Sequence, residues 1–393
     1  MRENNIWICI VNTKETETLE AKLAAGGLPD SLWETYSAFA NTNGGVILLG
    51  VEESRDKTLH LHGVTDPDGM VAEFWQMVRT PSKCSADVLR PGGVYVQNED
   101  GKDIIVIEVP RADRRDKPVY INGDILQGTY RRSGEGDYHC TEQEIKAMLQ
   151  DKEEITRDTL PLAELGSEAF DEATVRDFRG RVRRMRPNDP ANELNDEEFL
   201  VNYGAAVKDR TGLHPTGGGL LVLGKREYIV REFTHFYLEY REYEKDDAEP
   251  HIKLTSMTDS DCRNLYNFYF CTAEKLISGQ PRSVEKAVSA ALANALIHAN
   301  YYNKFGIVVE KRDQNVMISN PGGMRVSLKD SMSKNSDPRN REVARLFAGV
   351  GIGSGKGEGM GFIRNQENCK VVEKFDPDMV VFTWQGKRIA APR

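Results

Sequence analysis

The stretch "SAFANTNGGVILLGVEES", Ser37–Ser54, carries the strongest fold signal of the chain. It begins in an amphipathic helical pattern, in which apolar residues recur at three- and four-residue spacing. Asn43, Gly44 and Gly45 are predicted to end that helix, because Asn and Gly accept the left-handed conformation of a helix C-cap. The run "VILLGV" that follows is apolar on both faces, which predicts an interior strand of a sheet.

Acidic residues surround this predicted strand. Its end brings Glu52 and Glu53 to the rim of the sheet, where α/β folds tend to place their sites. Upstream, "KETETLEAK" contains Glu15 and Glu20, and a strand over "TLEAKLA" would point Glu20 and Lys22 to the same face. Converging carboxylates repel one another unless a cation compensates them, and Mg²⁺ or Mn²⁺ is the usual oxygen-ligated choice. The alternative is a set of solvated acids on an edge strand.

The composition is that of a soluble globular protein with two or three domains. The chain has 393 residues, of which 39% are hydrophobic and 29% are charged. The formal net charge of −9 argues against a general nucleic-acid coat protein, but it leaves room for a local basic face. No apolar run approaches the roughly 18 residues that span a bilayer. Six scattered cysteines form no CxxC pair, which predicts reduced thiols and a cytoplasmic location.

The alternation of helical and strand-like segments predicts an α+β chain with a folded domain at each end. Thr141 and Glu144 are predicted to form a capping box at the last helix of the first domain. The acidic, proline-containing stretch that follows is typical of a linker. The predicted divisions are an N-terminal domain at 1–150, a linker at 151–172, a linking α/β region with an arginine-rich helix at 173–280 and a C-terminal α/β domain at 281–393.

Four motifs of the first domain resemble the Schlafen/AlbA-type (AlbA_2) family. They are "ETETLEAK", "SLWETYSAFANTNGGVILLGVEE", "DKPVYING" and "TYRRSGEGDYHCTEQEI", and the resemblance covers about residues 14–150. It implies a domain that acts on nucleic acid and that, in members that are nucleases, binds a divalent metal. The implied metal ligands are Glu15, Glu20 and Glu52, with Lys22 at the same catalytic centre. We therefore expect Glu52 to lie within metal-bridging reach of Glu20, and Glu53 to be turned away.

Basic residues in two regions are candidate phosphate contacts. In the first domain they are Arg111, Arg114, Arg115, Lys117, Arg131 and Arg132. In the linking region, the helix predicted for "VRDFRGRVRRMRP" places Arg179 and Arg183 on one face. The alternatives are an ordinary solvated basic loop in the first case, and ion pairs with the many acids of the chain in the second.

Three motifs of the last domain combine a polar helix face with glycine-rich turns. "ALANALIHANYYNK" places Asn294 and His298 four residues apart on a helix that is otherwise rich in Ala and Leu. "ISNPGG" and "GIGSGKGEGMGFIRN" follow it, and glycines let backbone amides approach phosphates closely. The alternative for a lone asparagine on such a helix is a structural amide.

These motifs, together with "RNREVARLF", resemble the ATPase-like half that is commonly fused to Schlafen/AlbA-type domains and is similar to the GHKL ATPase fold. The resemblance implies ATP and Mg²⁺ as cofactors. Its implied nucleotide-binding residues are Asn294, His298, Asn320, Gly322, Gly323, Gly355, Lys356, Gly357 and Gly359. The glutamate expected four residues before Asn294, the general base, is Ala290. Loss of a positioned base lowers the expected rate of hydrolysis by about 10²–10⁴-fold.

Three hypotheses follow for the whole chain. The leading one is a regulatory or defence protein that binds RNA (tRNA) or DNA, cleaves it with a divalent metal, and couples this to a nucleotide-binding domain. One alternative is a non-catalytic transcriptional regulator or nucleotide sensor, and a second is a slow ATPase. The expected partners are nucleic acid, a nucleotide and further copies of the chain, with no membrane.

Overall fold

The structure is a computed structural model that describes residues 15–386, apart from 245–246, 259–261, 279, 281, 332–336, 354–360, 362, 364–367 and 376. The chain forms two compact units that divide between Glu153 and Glu154. Both units combine helices with sheets, so the predicted α+β class is confirmed. Within these described ranges, no helix is long and apolar enough to cross a membrane.

The first unit is built on a four-stranded sheet. Its strands are β1 (Leu19–Lys22), β2 (Gly45–Leu49), β3 (Val51–Glu53), β4 (Leu59–Leu61), β5 (Val94–Glu99), β6 (Lys102–Val109), β7 (Tyr130–Ser133) and β8 (Gly136–His139); its helices are α1 (Ser31–Asn41), α2 (Pro67–Val78) and α3 (Glu142–Lys152). The sheet order is β1-β2-β6-β5, with β1 parallel to β2 and the other neighbours antiparallel. β2 lies between two neighbours, which confirms the predicted interior strand. The pairs β3–β4 and β7–β8 form separate hairpins.

The end of α1 follows from its local sequence. The Gly44 N–H donates to the Phe39 carbonyl at 2.8 Å and closes the last turn. Gly44 has a φ of +76°, and a Cβ there would lie 2.7 Å from the Val109 carbonyl oxygen. A Cβ on Gly45 would lie 2.6 Å from the Phe39 ring. The predicted glycine stop is confirmed, and these contacts explain why both positions require glycine.

The two faces of this sheet cover different apolar clusters. The larger cluster joins α1 and α2 to the sheet, and in it the Trp33 and Phe74 rings stack with centroids 5.4 Å apart. A smaller cluster contains Leu48, Val51, Ile104 and Val106. At the other end of the unit, both hydrogen bonds of the predicted capping box at Thr141 are present, which confirms it.

The second unit is built on a six-stranded sheet. Its strands are β9 (Ala206–Lys208), β10 (Leu213–Pro215), β11 (Leu238–Tyr243), β12 (Ile252–Thr255), β13 (Ile307–Arg312), β14 (Asn315–Pro321), β15 (Cys369–Phe375) and β16 (Asp378–Trp384); its helices are α4 (Glu172–Met185), α5 (Asp196–Asn202), α6 (Gly217–Leu223), α7 (Arg226–Glu232), α8 (Leu265–Ile277), α9 (Arg282–His298), α10 (Leu328–Ser331) and α11 (Arg341–Gly349). The sheet order is β12-β11-β13-β14-β16-β15, in which β11 and β13 are parallel and the other neighbours antiparallel. β9 and β10 form a separate pair.

The second unit includes three regions that were predicted from the sequence as separate segments. β11 precedes residue 280 and β13 follows it, yet they are neighbours in one sheet. One apolar core contains residues from Leu165 to Trp384. The stretch 151–172, predicted as a linker, contributes Leu165, Ala169 and Phe170 to that core. The sequence-based boundaries near 172 and 280 therefore fall inside one compact unit, because strand pairing joins segments that are distant in sequence.

Candidate functional site

The two acids of β3 face opposite ways. Val51 is fully buried, and because side chains alternate along a strand, Glu53 shares its face while Glu52 points the other way. Glu53 Oε1 accepts from the backbone N–H of Glu15 at 3.2 Å. The Glu52 side chain is 49% exposed and pairs with His62 at 3.0 Å. The expectation that Glu52 meets the upstream acids while Glu53 turns away is wrong, because the burial of Val51 sets the phase of β3.

Arg132 on β7 pairs with Glu20 and Asp137, two members of the acidic cluster formed by Glu15, Glu20, Glu53 and Asp137. Its side chain is only 2% exposed. The guanidinium donates to Glu20 Oε2 and to Asp137 Oδ1, each at 2.9 Å, and to the Thr16 carbonyl at 3.0 Å. The second Glu20 oxygen accepts from Lys22 Nζ at 2.9 Å. Both oxygens of Glu20 are therefore paired with cations that the protein itself supplies.

Glu15 and Glu53 complete this acidic cluster. Glu15 Oε1 accepts from the Ala21 N–H at 3.1 Å, and Lys57 Nζ donates to Glu53 Oε2 at 3.0 Å. Burial raises the pKa of Glu15, the Ala21 hydrogen bond opposes that rise, and the charges of Glu20 and Glu53 add to it. The Glu15 carboxyl therefore takes up a proton more readily than an ordinary glutamate.

The predicted metal ligands do not fit a divalent ion. Across the described parts of the chain, no group of three or more His, Cys, Asp or Glu side chains is arranged to hold a metal. Glu52 lies on the opposite face of β3 from Glu53, the acid that contacts Glu15, and Glu20 is held between two cations. The set predicted for Mg²⁺ or Mn²⁺ is therefore not brought together. Lys22, predicted at the catalytic centre, is a counter-ion of Glu20.

Most of the predicted phosphate contacts of the first unit have partners inside the fold. These contacts are Arg114 with the Asp151 carbonyl (2.7 Å), Lys117 with the Asn41 carbonyl (2.5 Å), Arg131 with Glu144 (2.9 Å) and Arg132 with Glu20 (2.9 Å). Arg111 is half-buried on the loop that follows β6. Arg115 on the same loop is 65% exposed and pairs with Asp113 at 3.0 Å. Among these predicted contacts, Arg115 is the most exposed to solvent.

Asn41 holds this basic loop in place, a role that the sequence-based interpretation missed. Its side-chain amide donates to the Val119 carbonyl at 2.8 Å and to the Tyr130 carbonyl at 2.9 Å. Its Oδ1 accepts from the Val119 N–H at 2.9 Å. Beside it, the Ala112 N–H donates to the Ala40 carbonyl at 2.8 Å. The signal was present as the asparagine of the Asn-Thr-x-Gly-Gly motif, which links the end of α1 to Val119, just after the loop, and to Tyr130 on β7.

The arginines of α4 are used within the second unit. The helix itself is confirmed, and Val182 on its apolar face is fully buried. Arg179 pairs with Asp196 and donates to the Leu194 carbonyl at 2.6 Å. Arg183 donates to the Asn192 carbonyl at 3.2 Å. The two arginines line a groove of about 690 Å³ whose walls also carry acidic side chains. Arg179 therefore forms an ion pair with an acid of the chain, as the alternative prediction stated.

A cavity of about 110 Å³ in the second unit gathers residues from several predicted motifs. It lies between α9 and strands β14, β15 and β16. The nucleotide-site candidates that line it are Asn294, His298, Asn320 and Gly323. Its apolar wall is formed by Ile318, Val371, Val380 and Phe382, among others. A few polar groups in an apolar lining are typical of small-molecule sites, but the cavity is smaller than the ~300–1,000 Å³ of most such sites and holds at most part of a nucleotide.

Arg339 and Asn340 tie the end of α9 to the glycine turn beside this cavity. Arg339 donates to the His298 carbonyl at 2.8 Å and to the Gly323 carbonyl at 2.9 Å. Asn340 donates to the Ile297 carbonyl at 2.9 Å. Sequence reasoning noted the "RNREVARLF" motif without assigning a role to either residue.

Of the remaining candidates in the glycine-rich turns, the structure describes Gly322. Gly322 has a φ of +89°, and a Cβ at that position would collide with the Arg339 guanidinium, so the turn requires glycine there. Gly355, Lys356, Gly357 and Gly359 lie outside the described residues.

Asp158 is a second residue that sequence reasoning missed, because it lies in the stretch taken as a linker. Its carboxylate accepts from the backbone N–H groups of Arg341 at 3.1 Å, Glu342 at 2.8 Å and Val343 at 3.1 Å, the first turn of α11. Thr156 Oγ1 donates to it at 2.6 Å. Burial raises the pKa of Asp158, and these hydrogen bonds oppose the rise. An acid at a helix N-terminus is also favoured by the helix dipole.

Comparisons with known families identify two segments of the chain. Residues 15–141 match the family described as "Schlafen, AlbA_2". Residues 146–239 match a family described as a domain of unknown function, DUF8451. No curated protein sequence matches the chain.

Two solved structures are similar in part. The DIP2311 protein from Corynebacterium diphtheriae is 18% identical, with 95% of this chain and 65% of that chain covered and a TM-score of 0.47. The N-terminal domain of a protein related to the ATP-dependent DNA helicase RecG, from Nitrosomonas europaea, is 27% identical, with 35% of this chain and 90% of that chain covered and a TM-score of 0.26. Both TM-scores lie below 0.5, so neither similarity assigns a function. The family match is the firmer finding: residues 15–141 form a domain of the Schlafen, AlbA_2 type.

Proposed function

We propose that the N-terminal unit binds nucleic acid, and that the loop at 110–117 contacts its phosphates. The observation that carries this proposal is the anchoring of a basic loop at the end of α1, within a domain of the Schlafen, AlbA_2 type. The Ala40 and Asn41 carbonyls accept from Ala112 and Lys117 of the loop, and the Asn41 side chain holds Val119 just after it. The chain is acidic overall, with a formal net charge of −9, so attraction to phosphates has to be local. Arg111, Arg114 and Arg115 supply three positive charges within five residues of that loop, against one negative charge from Asp113.

The anchoring matters because a held loop loses little conformational freedom when it binds. The loop backbone is bonded to the end of α1 through Ala112, and the Lys117 ammonium is bonded to the Asn41 carbonyl. The ordering cost of flexible segments is one of the main terms opposing association. A pre-positioned cluster of arginines therefore binds phosphates more tightly than the same residues on a mobile chain.

Charge reversal in this loop is expected to weaken nucleic-acid binding. In the double variant Arg111→Glu/Arg115→Glu, we expect the affinity to fall at least about tenfold and the slope of log K against log salt concentration to fall by about two. Fluorescence anisotropy with a labelled single-stranded RNA and a labelled duplex DNA measures both quantities. The matched control is Arg79→Glu, another exposed arginine, which stacks on Trp75 outside the loop.

Binding of the double variant with wild-type affinity and salt slope would refute the assigned surface. The same samples report on cleavage when Mn²⁺ replaces EDTA. Cleavage of tRNA that is lost in Glu20→Gln would favour the nuclease alternative, which the observed ligand geometry does not support.

A second proposal concerns the cavity beside α9, which we infer to be a nucleotide-binding site. Residues from two separate sequence motifs, the helix with Asn294 and the turn with Gly323, meet at one mostly apolar cavity. An apolar lining suits a purine base, and glycine turns suit phosphates. Ala290 at the position of the expected base favours nucleotide sensing over rapid hydrolysis.

Thermal unfolding with ATP and Mg²⁺ tests this second proposal. At a ligand concentration of 100 times Kd, binding stabilises the folded state by about 2.7 kcal/mol, which raises the unfolding temperature. We expect Asn294→Ala to remove most of that shift and Asn202→Ala, which changes an exposed asparagine at the end of α5, to leave it intact. If ATP shifted the unfolding temperature equally in both variants, or did not shift that of the wild type, the cavity would not be a nucleotide-binding site. Sustained release of phosphate from ATP would instead support the alternative hypothesis of a slow ATPase.

A further inference from the structure

We propose that Arg132 takes the electrostatic place of a divalent cation in the N-terminal unit, so that its acidic cluster is stable without a metal. The proposal is independent of nucleic-acid binding. It starts from the disagreement between the ligand set that the family resemblance implies and the arrangement that these residues adopt.

Arg132 bridges two carboxylates in the way a metal ion would. One guanidinium nitrogen donates to Glu20 and the other to Asp137, both at 2.9 Å, so a single cation links β1 to β8. The planar fork of arginine suits such bridging, and its charge is present at every accessible pH. The guanidinium also lies 5.1 Å from the centroid of the buried Phe39 ring.

The other acids of the cluster have partners of their own. Glu20 is also paired with Lys22, and Glu53 is paired with Lys57. Glu15 accepts a backbone hydrogen bond from Ala21 instead of facing a cation directly. Four carboxylates thus share three basic side chains, and the repulsion that would otherwise call for a metal is largely compensated.

A divalent ion would meet a specific obstacle at this site. Of the three implied ligands, Glu20 is the one with a cation on each carboxylate oxygen. Lys22 lies 2.9 Å from one oxygen and Arg132 lies 2.9 Å from the other. An ion that approached Glu20 would be repelled by both positive charges or would have to displace one of them. Arg132 is buried, so its displacement would move a charged side chain out of its cluster of partners.

Manganese binding to the full chain tests the proposal directly. We expect titration of the wild type with Mn²⁺, followed by electron paramagnetic resonance, to reveal no micromolar or tighter site that depends on Glu20. A stoichiometric micromolar site that is lost in Glu20→Gln would overturn the proposal. Weak Mn²⁺ binding that is unchanged in Glu20→Gln lies elsewhere on the chain and supports it.

Removal of the arginine charge gives a second, independent readout. Arg132→Met keeps much of the side-chain volume, and we expect its unfolding temperature to fall in EDTA and to recover in part when Mn²⁺ is added, while the wild type responds to neither. Arg79→Met, at an exposed arginine outside the acidic cluster, is the matched control, and its unfolding temperature is expected to respond to EDTA and Mn²⁺ as that of the wild type does. If Arg132→Met folded but Mn²⁺ did not stabilise it, the proposal that Arg132 takes the electrostatic place of a divalent cation would be contradicted. If that variant does not fold, the manganese titration of the wild type and Glu20→Gln still decides.

Discussion

Replacement of Asn41 by alanine is expected to lower the free energy of unfolding of the N-terminal unit by about 3–4 kcal/mol. Asn41 is 5% exposed, and its side chain makes two hydrogen bonds to Val119 and one to Tyr130. Alanine would leave the Val119 N–H and the Tyr130 carbonyl buried without this partner, while the Val119 carbonyl keeps its bond from Ser37 Oγ at 2.7 Å. Each lost partner costs about 1–3 kcal/mol. Urea denaturation, with hydrogen exchange of peptides from α1 as the local readout, measures the change.

The same motif supplies the control for this prediction. Asn43→Ala changes an exposed asparagine two residues away and is expected to shift the free energy of unfolding by less than about 0.5 kcal/mol. Equal losses in Asn41→Ala and Asn43→Ala would show that the motif acts only through the end of the helix. Because Asn41 anchors the loop at 110–117, we also expect Asn41→Ala to weaken nucleic-acid binding at temperatures where the variant remains folded.

The second large effect is expected at Asp158 in the other unit. Asp158→Ala should lower the free energy of unfolding by about 3–4 kcal/mol, because the first turn of α11 loses the carboxylate that accepts its N–H groups. Asp158 is 3% exposed, so water does not readily replace that acceptor. Denaturant unfolding, with hydrogen exchange of peptides from α11, is the measurement.

Two further variants give this prediction its controls. Asp158→Asn retains one acceptor oxygen and is expected to lose less stability than Asp158→Ala. Asp209→Ala, at an exposed aspartate that caps a surface turn beside Thr211, is expected to cost less than about 1 kcal/mol. A loss in Asp158→Ala no greater than that in Asp209→Ala would mean that α11 does not depend on this cap.

Features that depend on neighbouring residues were predictable from the sequence. The helix stop at Gly44 and the capping box at Thr141 each arise from groups a few residues apart, and both are confirmed. The interior strand β2 followed from a run that is apolar on both faces, and its neighbours β1 and β6 cover it on both edges. The local pattern was sufficient in these cases because the physical cause was local.

Features that depend on distant residues were not predictable in this way. The phase of β3, which decides between Glu52 and Glu53, is set by the burial of Val51 in a cluster that β6 helps to build. Glu20 has two counter-ions, and the buried one, Arg132, lies 112 residues later in the chain. A cluster of acids in a sequence therefore does not reveal whether a metal or an arginine compensates it.

The apparent linker illustrates the same limit. Its acidic, proline-containing composition is typical of exposed chain, and Asp158 reads as one of several solvated acids. Its backbone partners begin at Arg341, 183 residues later, and only the folded unit brings the two segments together. The cavity beside α9 is an intermediate case, because its motifs were visible in the sequence while their convergence depends on the pairing of β14 with β16.

Nucleic-acid binding by the N-terminal unit is expected to need no divalent metal, because Arg132 and two lysines already pair with the acids of its cluster. Fluorescence anisotropy of a labelled single-stranded RNA and a labelled duplex DNA, titrated with the full chain at low salt in EDTA, tests it most directly. We expect saturable binding of at least one probe, which weakens as salt is added and has the same affinity when Mn²⁺ replaces EDTA. No saturable binding of either probe in EDTA, or binding that appears only with Mn²⁺, would contradict the claim.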